Sequence, residues 1–122
     1  MSLFLWWKSR GTCEIQTRSV GDWKVVQISG KFMAGDPEKK FFDAVDGLLK
    51  SGERKMVIDM TASWFADDTV ATAAQVAYHR ARTAGADMRF VVLPGRAGGY
   101  YHMAGLEMTL PTFSRLGGAI EV

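Results

Sequence analysis

Apolar and polar positions follow two rhythms along this chain, short alternating or continuous apolar runs and longer stretches with a period near 3.6. Glu14–Val20 alternates weakly and meets Gly21-Asp22, a turn signal. Trp23–Ser29 follows, rich in β-formers and ending at Gly30, so the two runs predict a hairpin. Ala34–Glu38 predicts a helix start, with Asp36 as cap and Pro37 at the first helical position, where no N–H is needed. Phe41, Val45, Leu48 and Leu49 then fall at i, i+4, i+7 and i+8, with Lys39, Lys40, Asp43 and Asp46 on other faces, and Gly52 ends the helix.

Lys55–Met60 is a short apolar run of the kind found in a central strand. A short polar loop then leads to a helix from about Asp68 to Thr83, with Val70, Ala73, Ala74, Ala77 and Ala81 on one face and Gly85 as its stop. Met88–Leu93 predicts another strand, ended by Pro94-Gly95. Gly98–Ala104 fits a short helix, Leu106–Phe113 an extended or irregular path, and Ser114–Ile120 a last short helix. The order ββαβαβα(β)α implies an α/β layer fold with a partly parallel sheet. The faces Phe41/Val45/Leu48 and Val70/Ala74/Ala77 are expected to cover one side of that sheet, with Lys55–Met60 at its centre.

The length of 122 residues suits one domain with one core, and 48% hydrophobic with 23% charged residues is ordinary for a globular chain. The net charge of +2 is dispersed, with no basic stripe, which argues against nucleic acid as a partner. A single cysteine, Cys13, excludes an intrachain disulfide and fits a reducing, cytoplasmic compartment. Met1–Trp7 is apolar but gives way to Lys8-Ser9-Arg10, too short to span a bilayer and without the basic start of a signal peptide. Residues 1–13 therefore read as an extension or linker, with Met1-Ser2-Leu3 a candidate cloning remnant, and 14–122 as the domain.

Chemistry-bearing residues are sparse. His79 and His102 are far apart in sequence, and neither belongs to a metal-spaced pair. Gly95–Gly99 is glycine-rich but matches neither the P-loop nor the dinucleotide fingerprint. No nucleophile–base set can be assembled, no metal or cofactor is implied, and the chain reads as a non-enzyme. What remains is Asp67-Asp68-Thr69 at a helix N-terminus, where unpaired N–H groups and the helix dipole favour negative charge. A plain cap and a recognition or phosphorylation surface both fit. Trp64 and Phe65 precede it; a tight turn would send one to the core and leave the other as a contact anchor.

From Trp23 to Val122 the chain resembles the STAS domain of bacterial anti-sigma factor antagonists, found also in the cytoplasmic tails of sulfate-permease-type anion transporters. The resemblance rests on Val25–Gly30, on Lys55–Thr61, on the loop Phe65-Ala66-Asp67-Asp68-Thr69-Val70, on Tyr78–Gly85 with Asp87–Leu93, and on Met103–Leu106. It implies an α/β STAS-like fold, a small mixed sheet of four to five strands with helices packed on it. In the antagonists the loop resembles Asp-Ser-Ser/Thr-Gly, and a serine there is phosphorylated by a partner anti-sigma factor kinase. Asp67 matches the leading Asp and Thr69 the second hydroxyl, the one local residue able to take a phosphate. Asp68 stands at the first serine and Val70 at the glycine. The resemblance thus implies a regulatory protein-interaction module whose contact loop is Trp64–Val70, switching between partners with an anti-sigma factor kinase and carrying a permanent charge at Asp68. The alternatives are a regulatory domain of a larger protein such as an anion transporter, and a small-molecule sensing domain, from which Asp67 and Asp68 would repel an anion.

Overall fold

The computed structural model describes residues 13–121, apart from the side chains at 96 and 97, so the expectations for residues 1–12 lie outside the described residues. Strands β1 (Cys13–Val20) and β2 (Trp23–Phe32) form the expected hairpin, with Val20 opposite Trp23 and Cys13 opposite Gly30. Cys13, counted with the extension on sequence grounds, is thus the first residue of the sheet. β2 does not stop at Gly30. Its pairing with the next strand becomes irregular on both sides of that residue and resumes to Phe32, and Gly30 takes a φ of 85°, open to glycine at little cost.

Helix α1 (Asp36–Lys50) carries a further correction: Gly35 occupies the cap position, and Asp36 is the first helical residue, with Pro37 behind it. The φ of 96° at Gly35 turns the chain one residue earlier than a capping aspartate would. Asp36 and Glu38 still place negative charge at the positive end of the helix dipole. The remaining elements are β3 (Lys55–Ala66), α2 (Thr69–Thr83), β4 (Asp87–Val91), α3 (Arg96–Met103), a 3₁₀ turn (Leu106–Met108), β5 (Thr112–Phe113) and α4 (Leu116–Ile120). Leu106–Phe113, expected to be extended or irregular, contains a 3₁₀ turn and a short edge strand. The five strands lie in sequence order, β1-β2-β3-β4-β5, with the first pair antiparallel and the others parallel. This is the expected mixed α/β sheet.

β3 is central because Met56 through Met60 are all buried, including Asp59, and a strand covered on both faces needs such a continuous run. Asp59 keeps its polarity satisfied locally: one carboxylate oxygen accepts from the Thr61 backbone N–H at 2.9 Å and from its hydroxyl at 2.7 Å. On one face, Phe41 and Val45 of α1 and Val70, Ala73, Ala74, Ala77 and Ala81 of α2 pack on Val26, Ile28, Ile58, Met60 and Phe90, as the helical periodicity required. The alanine face of α2 brings its backbone close to the sheet. Tyr101 of α3 joins that core, and its hydroxyl meets Thr112 Oγ1 at 2.5 Å; burial pushes the phenol up to about 12, so it stays neutral. Among the described residues, α4 is the helix that covers the opposite face: Trp23, Val25, Val57 and Val91 pack against Ala119, with Val20, Phe113, Leu116 and Ile120 beside them.

Ile58 is 1% exposed at the centre of the larger core. Ile58→Ala is expected to cost about 2–5 kcal/mol, seen as a lower urea midpoint at unchanged slope. Val57→Asp buries an unpaired carboxylate beneath α4 and is expected to abolish cooperative unfolding. A wild-type melt for that variant would remove β3 from the centre of the sheet.

Candidate functional site

Because β2, β3 and β4 run parallel, their C-terminal ends share one edge of the sheet, and the connections into α1, α2 and α3 all lie there. The antiparallel β1 begins at the same edge, since Cys13 is opposite Gly30 and Gly30 is opposite Ser63. The segment Ala62–Ala66, expected as loop, is strand. The irregular pairing with β2 carries β3 onward, with Lys31 opposite Phe65 and Phe32 opposite Ala66. The link from β3 to α2 is therefore only Asp67 and Asp68.

These two acids do different work. The Asp67 backbone N–H donates to Phe32 O at 3.1 Å. Its carboxylate accepts from the Ala34 N–H at 3.3 Å on one oxygen, and on the other from the Thr69 N–H at 3.0 Å and the Thr69 hydroxyl at 2.5 Å. Partial desolvation disfavours its charge, but the hydrogen bonds from Thr69 and from the Ala34 N–H outweigh it, and the carboxyl titrates below its usual value. Asp68 sits at the cap position in helical geometry, exposed, and its side chain makes no cap hydrogen bond. Thr69 is half-buried with its hydroxyl held by Asp67, and Val70 is buried in the core.

Neither aromatic residue before the loop reaches the core, contrary to expectation. Trp64 is 48% exposed and Phe65 half-buried, while Ser63 and Ala66 take the inward positions. The irregular β2/β3 pairing resets the inward alternation, so counting from Met60 fails. The Ser63 hydroxyl lies 3.0 Å from Gly30 O and 3.1 Å from Phe65 O, which satisfies it inside the sheet. The Trp64 and Phe65 rings sit 6.2 Å apart, and the Lys31 ammonium is 5.8 Å and 5.4 Å from their centroids, within cation–π range.

Sequence reasoning missed several residues of this edge. Met33 follows β2 and Leu93 follows β4, and both are exposed, so each of the parallel strands β2, β3 and β4 ends beside an exposed large apolar side chain. Between the ends of β3 and β4 lies a cavity of about 180 Å³ lined by Met60, Thr61, Trp64, Val92, Leu93 and Gly98, among others. Gly98 is required there: a Cβ would fall 2.0 Å from Leu93 O, so only glycine lets α3 approach the strand end. The signal was the glycine-rich run Gly95–Gly99, which matches neither phosphate-binding pattern.

The other candidates disperse. His79 is exposed on α2, and His102 Nδ1, in the last turn of α3, lies 3.1 Å from Glu107 Oε2. Cys13 is buried, and burial pushes its thiol up, away from the reactive thiolate. Among the described residues no group of three or more His, Cys, Asp or Glu side chains is placed to hold a metal ion, and no helix is long and apolar enough to cross a membrane.

An anti-sigma factor antagonist from Mycobacterium paratuberculosis has a crystal structure that matches this one with a TM-score of 0.79, covering 91% of this chain and 93% of that one at 17% identity. The chain has the STAS fold. The structure of Mglu matches with a TM-score of 0.57 and 20% identity over 67% of this chain and 20% of that one, so the match corresponds to a part of that larger chain. No family profile matches the sequence, and no curated protein matches it. Within the STAS fold of this chain, Asp67 is the structural acid of the β3–α2 link and Asp68 the displayed one.

Asp67→Ala is expected to cost about 1 kcal/mol, within the roughly 0.5–2 kcal/mol span of lost helix caps. The lowered carboxyl gives the sign of the pH dependence. Its stabilisation is present above the unfolded-state value, about 3.9, and is lost as pH falls through the folded one. Urea titrations of wild type and Asp67→Ala should differ most near neutrality and converge below about pH 4. A gap that widens on acidification would contradict the cap assignment.

Proposed function

We propose that this chain is a non-catalytic regulatory protein-interaction module of the anti-sigma-factor-antagonist kind, with a fixed negative charge at the position where related antagonists carry a switchable serine. The observation that carries the reading is the division of labour in the β3–α2 link. Asp67 is consumed by the fold, whereas Asp68 is displayed to solvent on the short link that follows the exposed Trp64. An exposed tryptophan on the same segment as a free carboxylate is a ready contact anchor for a protein partner. The partner in this reading is an anti-sigma factor of the kinase type, and the contact residues are Trp64, Phe65, Asp68 and Thr69 at the start of α2, while Val70 is held in the core.

Asp68 offers no hydroxyl for a serine kinase to esterify, and it carries one charge where phosphoserine carries roughly −1.5 to −2. Thr69, the first residue of α2, carries the hydroxyl that directly follows the link. Its bond to Asp67 and the neighbouring Asp68 make a second dianion there electrostatically unfavourable. The switch state is thus written into the sequence rather than set by modification. A sensing role at this edge fits less well, because its cavity of about 180 Å³ falls below the roughly 300–1,000 Å³ of small-molecule sites.

Titration calorimetry against a cognate anti-sigma factor tests this. Asp68→Ser removes the fixed charge without removing the Asp67 cap, so the fold is retained and binding is expected to tighten roughly tenfold, about 1.4 kcal/mol. Weaker binding would show that Asp68 contacts a basic group on the partner. Unchanged binding would reduce Asp68 to a helix-end residue, and either result rejects the locked switch. Incubation of the wild type with the same partner and ATP is expected to leave its intact mass unchanged, and a phosphate on Ser63 or Ser114 would contradict the site.

A further inference from the structure

We propose that the outer edge of β1 pairs antiparallel with β1 of a second copy of this chain, about a two-fold axis at Gln16, so that two sheets join into one. The two edges of the sheet differ. β5 has two residues, whereas β1 runs for eight, with neither a proline nor a register shift against β2. Short, bulged or proline-bearing edge strands resist pairing, and β1 uses none of these devices. The hairpin turn shows which of its backbone groups point outward. Gly21-Asp22 is a two-residue turn with Gly21 at a φ of 57°, so Val20 and Trp23 close it as a hydrogen-bonded pair. Counting back along the ladder, Arg18, Gln16 and Glu14 bond to β2, and the N–H and C=O of Cys13, Ile15, Thr17 and Ser19 face away from it. Among the described residues no backbone group pairs with these.

Charge complementarity selects the occupant and the register. Glu14, Gln16 and Arg18 are exposed on one face of β1, and neither Glu14 nor Arg18 makes an ion pair with a described residue. A two-fold axis at Gln16 joins outward residues to outward residues, Ile15 opposite Thr17 and Cys13 opposite Ser19. The same axis sets Glu14 of each copy opposite Arg18 of the other, in the non-hydrogen-bonded pairs where side chains lie closest. Moving the axis to Ile15 or Thr17 keeps the outward groups paired but leaves Glu14 or Arg18 facing Gln16. Only the Gln16 register uses both charges twice. β2 separates β1 from the β3–α2 link, so the seam leaves Asp68 open and does not rest on the function proposed above.

Sedimentation equilibrium of the full chain at millimolar concentration is expected to give twice the mass of one chain, and a single-chain mass there overturns the proposal. Arg18→Glu and Glu14→Arg are each expected to weaken the dimer about tenfold, because like charges then meet twice across the seam. The exchange Glu14→Arg/Arg18→Glu is expected to restore wild-type affinity. A dimer indifferent to the single changes, or not restored by the exchange, has its interface elsewhere and overturns the pairing. Thr17→Pro removes an outward N–H without touching the ladder to β2, so a folded monomer is expected, and a folded dimer of wild-type affinity overturns the proposal. Gln16→Cys in a Cys13→Ala background tests the register even if the proline variant fails to fold. Oxidation is expected to cross-link two copies through Gln16→Cys at the axis, and not through Arg18→Cys in the same background. The reverse result overturns the register. Slow hydrogen exchange at Ile15 and Thr17 in dilute, monomeric protein would overturn the pairing by showing that the chain covers this edge itself.

Discussion

One carboxylate joins two crossings of the chain. Asp67 receives the N–H of Ala34, at the exit of β2, and the N–H and hydroxyl of Thr69, at the entrance of α2, while its own N–H returns to Phe32. Without these bonds the first turn of α2 would have orphan donors, and the ends of β2 and β3 would be held by strand pairing alone. The start of α2 fixes the direction of its alanine face, and that face supplies Val70, Ala73, Ala74 and Ala77 to the larger core. The same residue thus sets both the packing below and the display of Asp68 above.

The parallel arrangement concentrates everything distinctive at one edge. Three strands end there, each beside a large exposed apolar residue, and the connecting helices leave from there. At the opposite edge, Arg82, Gly85, Ala86 and Asp87 line a broad polar depression. Such an asymmetry between the ends of one sheet is what an α/β layer provides, with the scaffold held by the core and the chemistry carried by loops after the strands.

The helices and the order of strands were legible because periodicity decides them: Phe41/Val45 and Val70/Ala74/Ala77 could face nothing but a sheet, and Met56–Ile58 had to lie inside one. The misreadings share a cause in backbone geometry that residue types do not reveal. Gly35 took the cap expected of Asp36 because a positive φ turns the chain earlier. The irregular pairing around Gly30 prolonged β3 and turned Trp64 and Phe65 away from the core. The importance of the Asp67-Asp68 pair was visible in sequence, but which acid is consumed and which displayed depends on the position of Ala34, remote in sequence. Leu93 was counted inside a strand because its apolarity matched, although β4 ends at Val91.

The sheet is sealed unequally. One face lies under three helices, while Trp23, Val25, Val57 and Val91 are roofed by the five residues of α4, two of them glycine. Arg89 fastens this roof, its guanidinium stacked 4.5 Å from the Trp23 ring and donating to Ala119 O at 2.5 Å. A five-residue helix buries too little to be stable by itself and is held by its docking. Solvent exchange is therefore expected to reach the amides of α4 before those of β3, and the burial of Val57 lasts as long as this short helix stays docked.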